Sequence, residues 1–201
     1  MKKIPTLFER EFEDHKVISC KPIVTPGLEW VLDGEGIATV KYDGSCCAMI
    51  NGIYYKRYDA KRGKQPPAGA IPCQPEPDPI TGHWPHWLKV DRDNPADKWF
   101  LSAFDESRIN GELDVTIDAT YEAIGEHFQG NPYKMGCDIL VKHGEDIIKD
   151  CPRSYDGIYR YLLKHNIEGI VFWKDGAPRC KIKRSDFGIP WSGAEVEKKT
   201  T

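Results

Sequence analysis

Residues 37–57 read IATVKYDGSCCAMINGIYYKR, and this stretch decides the fold because it predicts three consecutive strands joined by tight turns. Apolar and β-branched residues favour strands at Ile37–Lys41, Cys46–Ile50 and Ile53–Arg57. Asn51-Gly52 separates the second strand from the third, and this dipeptide is typical of a type I′ hairpin turn, which needs positive φ at both central residues. The pattern predicts an antiparallel sheet that begins at Lys41.

Lys41 ends the first of these strands and is followed at once by Tyr42-Asp43-Gly44. A lysine that closes one apolar run and precedes another, with an acid and a glycine after it, is typical of a nucleophile held in place. Because the free amine has a pKa of about 10.4, such a nucleophile needs burial or neighbouring cations to lower it. Taken alone, Lys41 fits an ordinary strand-end lysine better, so other motifs have to decide.

The composition is that of a globular chain of 201 residues, with 40% hydrophobic and 29% charged residues and a formal net charge of −3. This length predicts one domain over residues 1–201. No apolar run approaches the roughly 18 residues of a membrane span, and the N-terminus lacks the apolar core of a signal peptide. We therefore expect a cytoplasmic protein with no membrane partner. The seven cysteines contain no CxxC pair, which favours neither a disulfide framework nor a zinc ribbon.

A local cluster of basic residues begins in the third predicted strand, although the chain as a whole is acidic. It comprises Lys56, Arg57, Lys61, Arg62 and Lys64, against the single acid Asp59. Such a cluster is what a phosphate-bearing ligand such as RNA needs, and a solvated face without a ligand is the alternative.

Two segments are predicted to be irregular. Residues 1–20 alternate acids and aromatics without a clean period, so we expect at most a short helix before Cys20. Proline is dense between residues 63 and 97, which predicts a Pro-rich loop that contains neither a helix nor a central strand.

The Pro-rich loop (residues 63–97) also carries residues that bind metals or bases in other proteins. Trp84 and Trp87 indicate that its second half packs down, and base stacking is the alternative. Cys73, His83 and His86 lack a fourth ligand at useful spacing, so a packed loop is favoured over a zinc site.

The remaining elements follow from periodicity and turn residues. They are, in chain order, a short helix over Trp99–Phe104, a strand at Ala119–Gly125, a helix at Ser154–Asn166 with Ser154 as N-cap, and strands at Ile167–Trp173 and Arg179–Lys183. Lys174-Asp175-Gly176 is predicted to be the hairpin turn between the last two strands. Glu195–Thr201 is predicted to be a frayed tail.

Charged residues recur within these apolar strands. Glu122 lies among apolar neighbours and Glu168 opens a late strand, and a buried carboxylate needs a cation or a metal as partner. Lys181 and Lys183 alternate with an isoleucine and therefore share one strand face. Two lysines beside Glu168 favour a polyanion as ligand. The alternative is that both acids are structural partners of Arg57 and the lysines.

Four charged motifs follow one another along the chain. They are Lys41-Tyr42-Asp43-Gly44, Tyr121-Glu122-Ala123-Ile124-Gly125, Glu168-Gly169-Ile170-Val171-Phe172 and Lys181-Ile182-Lys183. In this order and spacing they resemble the nucleophile motif and three later motifs of the covalent nucleotidyltransferase superfamily, which contains ATP-dependent polynucleotide ligases and capping enzymes. Three further stretches, at residues 43–47, 130–133 and 183–188, are similar to the single-domain RNA 5′–3′ ligase 1 family.

The resemblance implies an enzyme that joins RNA 5′-phosphate and 3′-hydroxyl ends through a lysyl-AMP and then an RNA-adenylate. ATP and Mg²⁺, or Mn²⁺, are the implied cofactors. By this resemblance Lys41 attacks the α-phosphorus of ATP, while Lys181 and Lys183 hold the phosphates and lower the pKa of Lys41. Glu168 binds the metal or contacts the reactive phosphate.

The same resemblance implies contacts with the nucleoside. Glu122 contacts the ribose or takes part in metal binding through water, and Val171 packs on the adenine. Many ligases place an arginine shortly after the nucleophile motif to hold the ribose, but Ser45, Cys46 and Cys47 occupy this place. We assign that role to Arg57 on the hairpin partner strand.

The predicted fold class is α+β, a nucleotidyltransferase (ATP-grasp-like ligase adenylation) domain of two packed antiparallel sheets with flanking helices and nucleotide between the sheets. We expect no C-terminal OB-fold, because about eighteen residues follow Lys183. A DNA nick ligase is one alternative function. The other is a module that binds nucleotide or RNA ends without turnover, which the missing arginine favours.

Overall fold

The structure, a computed structural model, describes residues 2–14, 16–79 and 81–191, without the side chain of Lys16. Its strands are β1 (Phe8–Glu13), β2 (Lys16–Val24), β3 (Ile37–Lys41), β4 (Ser45–Ile50), β5 (Ile53–Ala60), β6 (Ile71–Pro72), β7 (Trp84–Lys89), β8 (Ala119–Ile124), β9 (Ile139–Lys142), β10 (Gly169–Lys174) and β11 (Ala177–Lys183). The α-helices are α1 (Lys98–Ile109) and α2 (Tyr155–Lys164), and short 3-10 helices lie at Glu29–Val31, Pro95–Asp97 and Arg184–Phe187. These strands pair antiparallel throughout, so the predicted α+β class is confirmed. The tail predicted at Glu195–Thr201 lies outside the described residues.

The chain divides into two compact units, and one boundary falls within the motif Lys41-Tyr42-Asp43-Gly44. The Lys41 unit comprises Ile4–Tyr42 and Gly144–Thr201, and the Glu122 unit comprises Asp43–His143 with Met1–Lys3. Strand β3 pairs with β10, whereas β4 and β5 belong to another sheet. The prediction that Lys41 begins the sheet of the next two strands is therefore wrong. A single adenylyltransferase domain over residues 1–201 stays a prediction.

The Lys41 unit contains a three-stranded sheet in the order β11-β10-β3. One face of this sheet is apolar, and its Ile170, Phe172 and Ile182 are completely buried in a core that includes Ile158 of α2. Helix α2 begins after the predicted N-cap, Ser154, whose hydroxyl accepts a hydrogen bond from the Gly157 N–H at 3.2 Å. One face of the sheet packs against this core, and the alternate residues of the three strands project from the other face.

A β1–β2 hairpin in the Lys41 unit occupies the segment predicted to hold at most a short helix. Its register shifts between Phe8 and Arg10 and again between Glu11 and Phe12. Each irregularity breaks the alternation of apolar and polar residues, so the strand period is hidden in the sequence. Phe8 is buried in the core, whereas Phe12 is exposed.

The Glu122 unit contains a six-stranded sheet in the order β6-β7-β5-β4-β8-β9. The predicted hairpin turn between β4 and β5 is confirmed, since Asn51 and Gly52 have φ values of 50° and 73°. One face of the sheet, which carries Cys47 and Tyr121, packs in a core with Ala103 of α1. The opposite face carries the alternate residues of the same strands.

Strand β7 runs through the Pro-rich loop, which was predicted to contain no central strand. It lies between β5 and β6, with Pro85 opposite Asp59. The carbonyl of Pro85 accepts a hydrogen bond from the Cys73 N–H at 2.8 Å, so this edge of Pro85 faces β6. Proline has no N–H to donate, and here the lost donor costs a hydrogen bond only toward the very short strand that ends at Pro72. The expected packing of the second half of the loop is confirmed, because His86 and Trp87 are buried.

None of the helices in the described part of the chain is long and apolar enough to cross a membrane. All seven cysteines lie in the described residues, and each is a free thiol.

Candidate functional site

The antiparallel register of the Lys41 unit brings the predicted lysines onto one sheet face. Two cross-strand rows carry them: Lys41, Gly169 and Lys183 form the first, and Thr39, Val171 and Lys181 form the second. The two rows lie two residues apart along each strand, so their side chains project to the same side of the sheet. Gly169 contributes no side chain, so nothing on β10 itself separates Lys41 from Lys183. The face therefore combines three lysines with the apolar side chain of Val171.

Glu168, directly before β10, supplies the acid of this face. Its Oε2 accepts a hydrogen bond from Nζ of Lys41 at 2.5 Å, and its Oε1 lies 3.7 Å from Nζ of Lys183. Nζ of Lys41 also donates to the carbonyl of Tyr42 at 3.2 Å. The Glu168 side chain is only 11% exposed, and two ammonium groups compensate for the loss of its hydration.

Lys181 has a strongly perturbed ionisation. Its burial lowers the pKa to about 8, and the positive charges of Lys41, Lys183 and Arg10 act in the same direction against the opposing effect of Glu168. The sequence predicted that Lys181 and Lys183 would lower the pKa of Lys41. The structure shows a lowered pKa at Lys181 and places Glu168 against Lys41.

Arg10 and Asp186 hold the end of β11 in place, and sequence reasoning missed both. Asp186 is buried, and its Oδ1 accepts hydrogen bonds from Nε and Nη2 of Arg10 at 2.9 and 2.7 Å. Its Oδ2 accepts the backbone N–H of Lys183 at 2.8 Å. Asp186 therefore links Arg10 of β1 to the backbone of Lys183, one of the site lysines, through charge-assisted hydrogen bonds.

In the Glu122 unit, the face of the six-stranded sheet opposite the α1 core carries the other predicted site residues. Cys46 pairs with Glu122 across β4 and β8, and because Cys47 pairs with Lys56, Arg57 is the next residue opposite Cys46. Arg57, Cys46 and Glu122 therefore form one cross-strand row. Nε of Arg57 donates to the carboxylate of Asp59 at 2.9 Å.

Glu122 has a partner that was not predicted, since the sequence suggested Arg57, lysines or a metal. Its Oε2 lies 2.9 Å from Nε2 of His143, whose Nδ1 lies 2.9 Å from the hydroxyl of Thr120. His143 follows β9, in which Val141 pairs with Glu122. Because His143 lies two residues after Val141, strand alternation places both on the same face. The signal was the short apolar run at 139–141, which was not recognised as a strand.

Gly44, the last residue of the nucleophile motif, lies at a close backbone crossing. A Cβ at this position would lie 2.2 Å from the carbonyl oxygen of Ala123 and 2.7 Å from the Ile124 side chain. The motif therefore needs glycine here because any side chain would meet the backbone of β8.

The basic cluster at residues 56–64 does not form a single surface. Lys56 and Arg57 are neighbours on β5 and project to opposite faces. The Lys56 ammonium forms an ion pair with Asp97, which is buried. The interpretation of this cluster as one phosphate-binding face is therefore wrong, because at least one of its cations serves the interior of the unit.

Comparison with known proteins agrees with the motifs. No protein-family model matches the chain. RNA ligase 1 from Danio rerio is 27% identical over 142 residues, which are 57% of this chain and 44% of that protein. RNA ligase 1 from Pongo abelii and from Rattus norvegicus are each 24% identical, over 259 and 262 residues, which cover 91% of this chain and 76% of each relative. The chain is similar to RNA ligase 1.

The predicted resemblance to the RNA ligase 1 family is thus confirmed. Matches that cover 91% of the chain extend over both compact units, so the resemblance is not confined to the Lys41 motif. The roles predicted for individual site residues stay predictions.

The two acids of the predicted metal site have different surroundings. Glu168 offers a carboxylate near lysines, and Mg²⁺ is commonly held by one or two carboxylates together with substrate phosphates, so Glu168 fits this ion. Glu122 instead lies with Cys46 and His143, and the ligand atoms of these three residues are all within 4.8 Å of one another. Within the described residues, no such cluster joins Cys73, His83 and His86, the zinc group that the sequence already disfavoured.

Proposed function

We propose that this protein is an ATP-dependent RNA ligase that joins 5′-phosphate and 3′-hydroxyl ends. The observation that carries the proposal is the sheet face on which Lys41 meets Glu168 beside Lys181 and Lys183. The similarity to RNA ligase 1 supports it. A surface with three clustered ammonium groups suits a substrate as strongly anionic as a nucleoside triphosphate.

In the first step, Nζ of Lys41 attacks the α-phosphorus of ATP as a neutral amine. An N–P bond forms, the bond between the α-phosphorus and its leaving oxygen breaks, and pyrophosphate departs with the electron pair. An acid at 2.5 Å favours the charged ammonium, so Glu168 has to release Lys41 before attack, and the ammonium proton passes to water. Formation of the N–P bond releases a second proton from the nitrogen, which also passes to water. Lys183, at 3.7 Å from the other oxygen of Glu168, gives the carboxylate a second cationic partner.

The other charged residues act once Glu168 has moved. Lys181 and Lys183 then remain as cationic neighbours, which favour the neutral form of Lys41 and attract the phosphates. Mg²⁺ held by Glu168 would add positive charge against the same phosphates.

The adenylyl group then passes from Lys41 to the 5′-phosphate of an RNA end, and the 3′-hydroxyl of the second end displaces AMP. Val171 lies between Thr39 and Lys181 and offers the adenine an apolar surface. The ribose contacts assigned to Arg57 and Glu122, and the cytoplasmic location, stay predictions.

Intact-protein mass spectrometry after incubation with ATP and Mg²⁺ tests this function. Wild type should gain the mass of one adenylyl group, and Lys41→Ala should gain none. Lys174→Ala is a matched control, because Lys174 ends β10 and its Nζ also lies 2.5 Å from a glutamate, Glu35. The control should be adenylated like wild type. Equal adenylation of Lys41→Ala would contradict the assigned nucleophile.

A nucleotide-binding module without turnover is the second candidate, and the Lys41–Glu168 ion pair favours it because the pair holds the amine in its charged form. Absence of the adenylyl mass from wild type, together with measurable ATP binding, would support this candidate. Offering single-stranded RNA, nicked duplex RNA and nicked DNA to the adenylated protein separates RNA ligation from DNA nick ligation. We expect joined product from RNA.

A further inference from the structure

We propose that Cys46, Glu122 and His143 form a binding site for a thiophilic divalent cation of the Zn²⁺ class. The three residues belong to the Glu122 unit and lie on β4, on β8 and directly after β9. The observations behind the site do not involve Lys41, although Glu122 is also the residue for which a ribose contact is predicted.

The ligand types select this class of metal. A thiolate, an imidazole and a carboxylate are the ligands of zinc centres, whereas Mg²⁺ prefers oxygen ligands alone. The three ligand atoms lie within 4.8 Å of one another, and Nε2 of His143 is 2.9 Å from Oε2 of Glu122. Ligands bonded to one Zn²⁺ at about 2.0–2.3 Å are separated by at most twice those lengths, so small side-chain movements suffice to close the site.

The neighbours of His143 fit the role of a metal ligand. Its Nδ1 lies 2.9 Å from the hydroxyl of Thr120, which leaves Nε2 to point toward Glu122 and the site. Metal-bound histidines commonly hold their other ring nitrogen in a hydrogen bond of this kind, which fixes the ring and its tautomer. Thr120 is therefore a positioning residue for the ligand.

The backbone keeps the ligands together. Cys46 and Glu122 are direct partners in the β4–β8 ladder, and the N–H of His143 donates to the carbonyl of Thr120 at 3.0 Å. Ligands on paired strands need little reordering when they bind a metal, which lowers the entropic penalty of binding.

Ionisation of the Cys46 thiol is unfavourable when no cation is bound. Burial raises the pKa of Cys46 to about 12, and the negative charge of Glu122 acts in the same direction, whereas Arg57 acts against both. Metal binding replaces the thiol proton: an S–metal bond forms, the S–H bond breaks, and the proton goes to solvent. The cation also neutralises the charge of Glu122. Three protein ligands leave a fourth position open to water.

Titration of the purified, metal-free protein with Co²⁺ or Zn²⁺ alone tests the site. We expect one Co²⁺ per chain, with the near-ultraviolet charge-transfer absorption of a cobalt–thiolate bond, and displacement of the Co²⁺ by Zn²⁺. Cys46→Ser should remove this absorption. Thr120→Val, which keeps the side-chain shape, should weaken Zn²⁺ binding by about 10- to 100-fold through loss of the hydrogen bond to His143.

Cys73→Ser is the control, because Cys73 is also a partly buried free thiol and packs near Cys46 on the same apolar cluster. The absorption should persist in this variant. A wild-type protein without the absorption, a Cys46→Ser variant that keeps it, or a Cys73→Ser variant that loses it would each overturn the site. In wild type, Zn²⁺ should also protect Cys46 from alkylation, as mapped by peptide mass spectrometry, and this readout does not depend on the folding of any variant.

Discussion

Oε2 of Glu168 lies 2.5 Å from Nζ of Lys41, so the proposed nucleophile is held by an acid from the residue that precedes the neighbouring strand. Glu168→Gln leaves Lys41, Lys181 and Lys183 on one face without this carboxylate. Loss of one partner of a fully buried pair costs about 3–5 kcal/mol, and partial exposure of Lys41 reduces the expected loss in unfolding free energy to about 2 kcal/mol. Urea denaturation at pH 7 measures it.

Glu35→Gln is the matched control for this substitution. Glu35 also lies 2.5 Å from a lysine ammonium, that of Lys174, but its side chain is 53% exposed. Exposed ion pairs contribute little, so the unfolding free energy should change by less than about 1 kcal/mol. Equal losses of unfolding free energy in Glu168→Gln and Glu35→Gln would contradict the larger contribution assigned to the buried Glu168.

The lowered pKa of Lys181, about 8 against an ordinary 10.5, predicts an alkaline dependence of stability. Between pH 8 and 10.5 the unfolded chain binds this proton more tightly than the folded chain, so the wild-type unfolding free energy should rise with pH across that window. Lys181→Met lacks the group and this contribution. The difference in unfolding free energy between the two proteins should therefore shift in favour of wild type by about 3 kcal/mol between pH 7 and pH 10.5, measured by urea denaturation of both. A difference independent of pH would contradict the assignment to Lys181.

Gly169 lies between Lys41 and Lys183, and a Cβ there would lie 2.2 Å from the carbonyl oxygen of Ile182. Gly169→Ala forces the backbone of β11 to move, and overpacking of this kind costs about 1–3 kcal/mol. Gly136→Ala serves as control, because no atom lies within 4 Å of a Cβ at that position. We expect a lower thermal midpoint only for Gly169→Ala. An unchanged midpoint would show that the strand accommodates the methyl group.

Most of the Lys41 face could be predicted from the sequence because strand alternation alone assigns side chains to faces. Lys181 and Lys183 share a face for this reason, and Asp175-Gly176, with φ values of 54° and 69°, makes the turn that aligns them with Glu168 and Val171. These are local relationships, and local patterns determine them.

Long-range pairings could not be predicted in the same way. Strand β3 pairs with the distant β10 rather than with the adjacent β4, and no local signal distinguishes the two. The partnership of His143 with Glu122 depends on the register of β8 and β9. Arg10 was missed because two register shifts hide the hairpin that carries it.

Asp186 accepts two hydrogen bonds from Arg10 and one from the N–H of Lys183, and it is only 2% exposed. Asp186→Asn keeps an acceptor for the Lys183 N–H but leaves the Arg10 charge unpaired. The unfolding free energy should therefore fall by about 2–3 kcal/mol. This loss is smaller than that for a fully buried pair because Arg10 is partly exposed. Asp175→Asn, which breaks the exposed pair with Arg179, should change it by no more than about 0.5 kcal/mol. Urea denaturation of both variants measures the difference. If Asp186→Asn unfolds at the wild-type urea concentration, the Arg10 pair does not hold the end of β11.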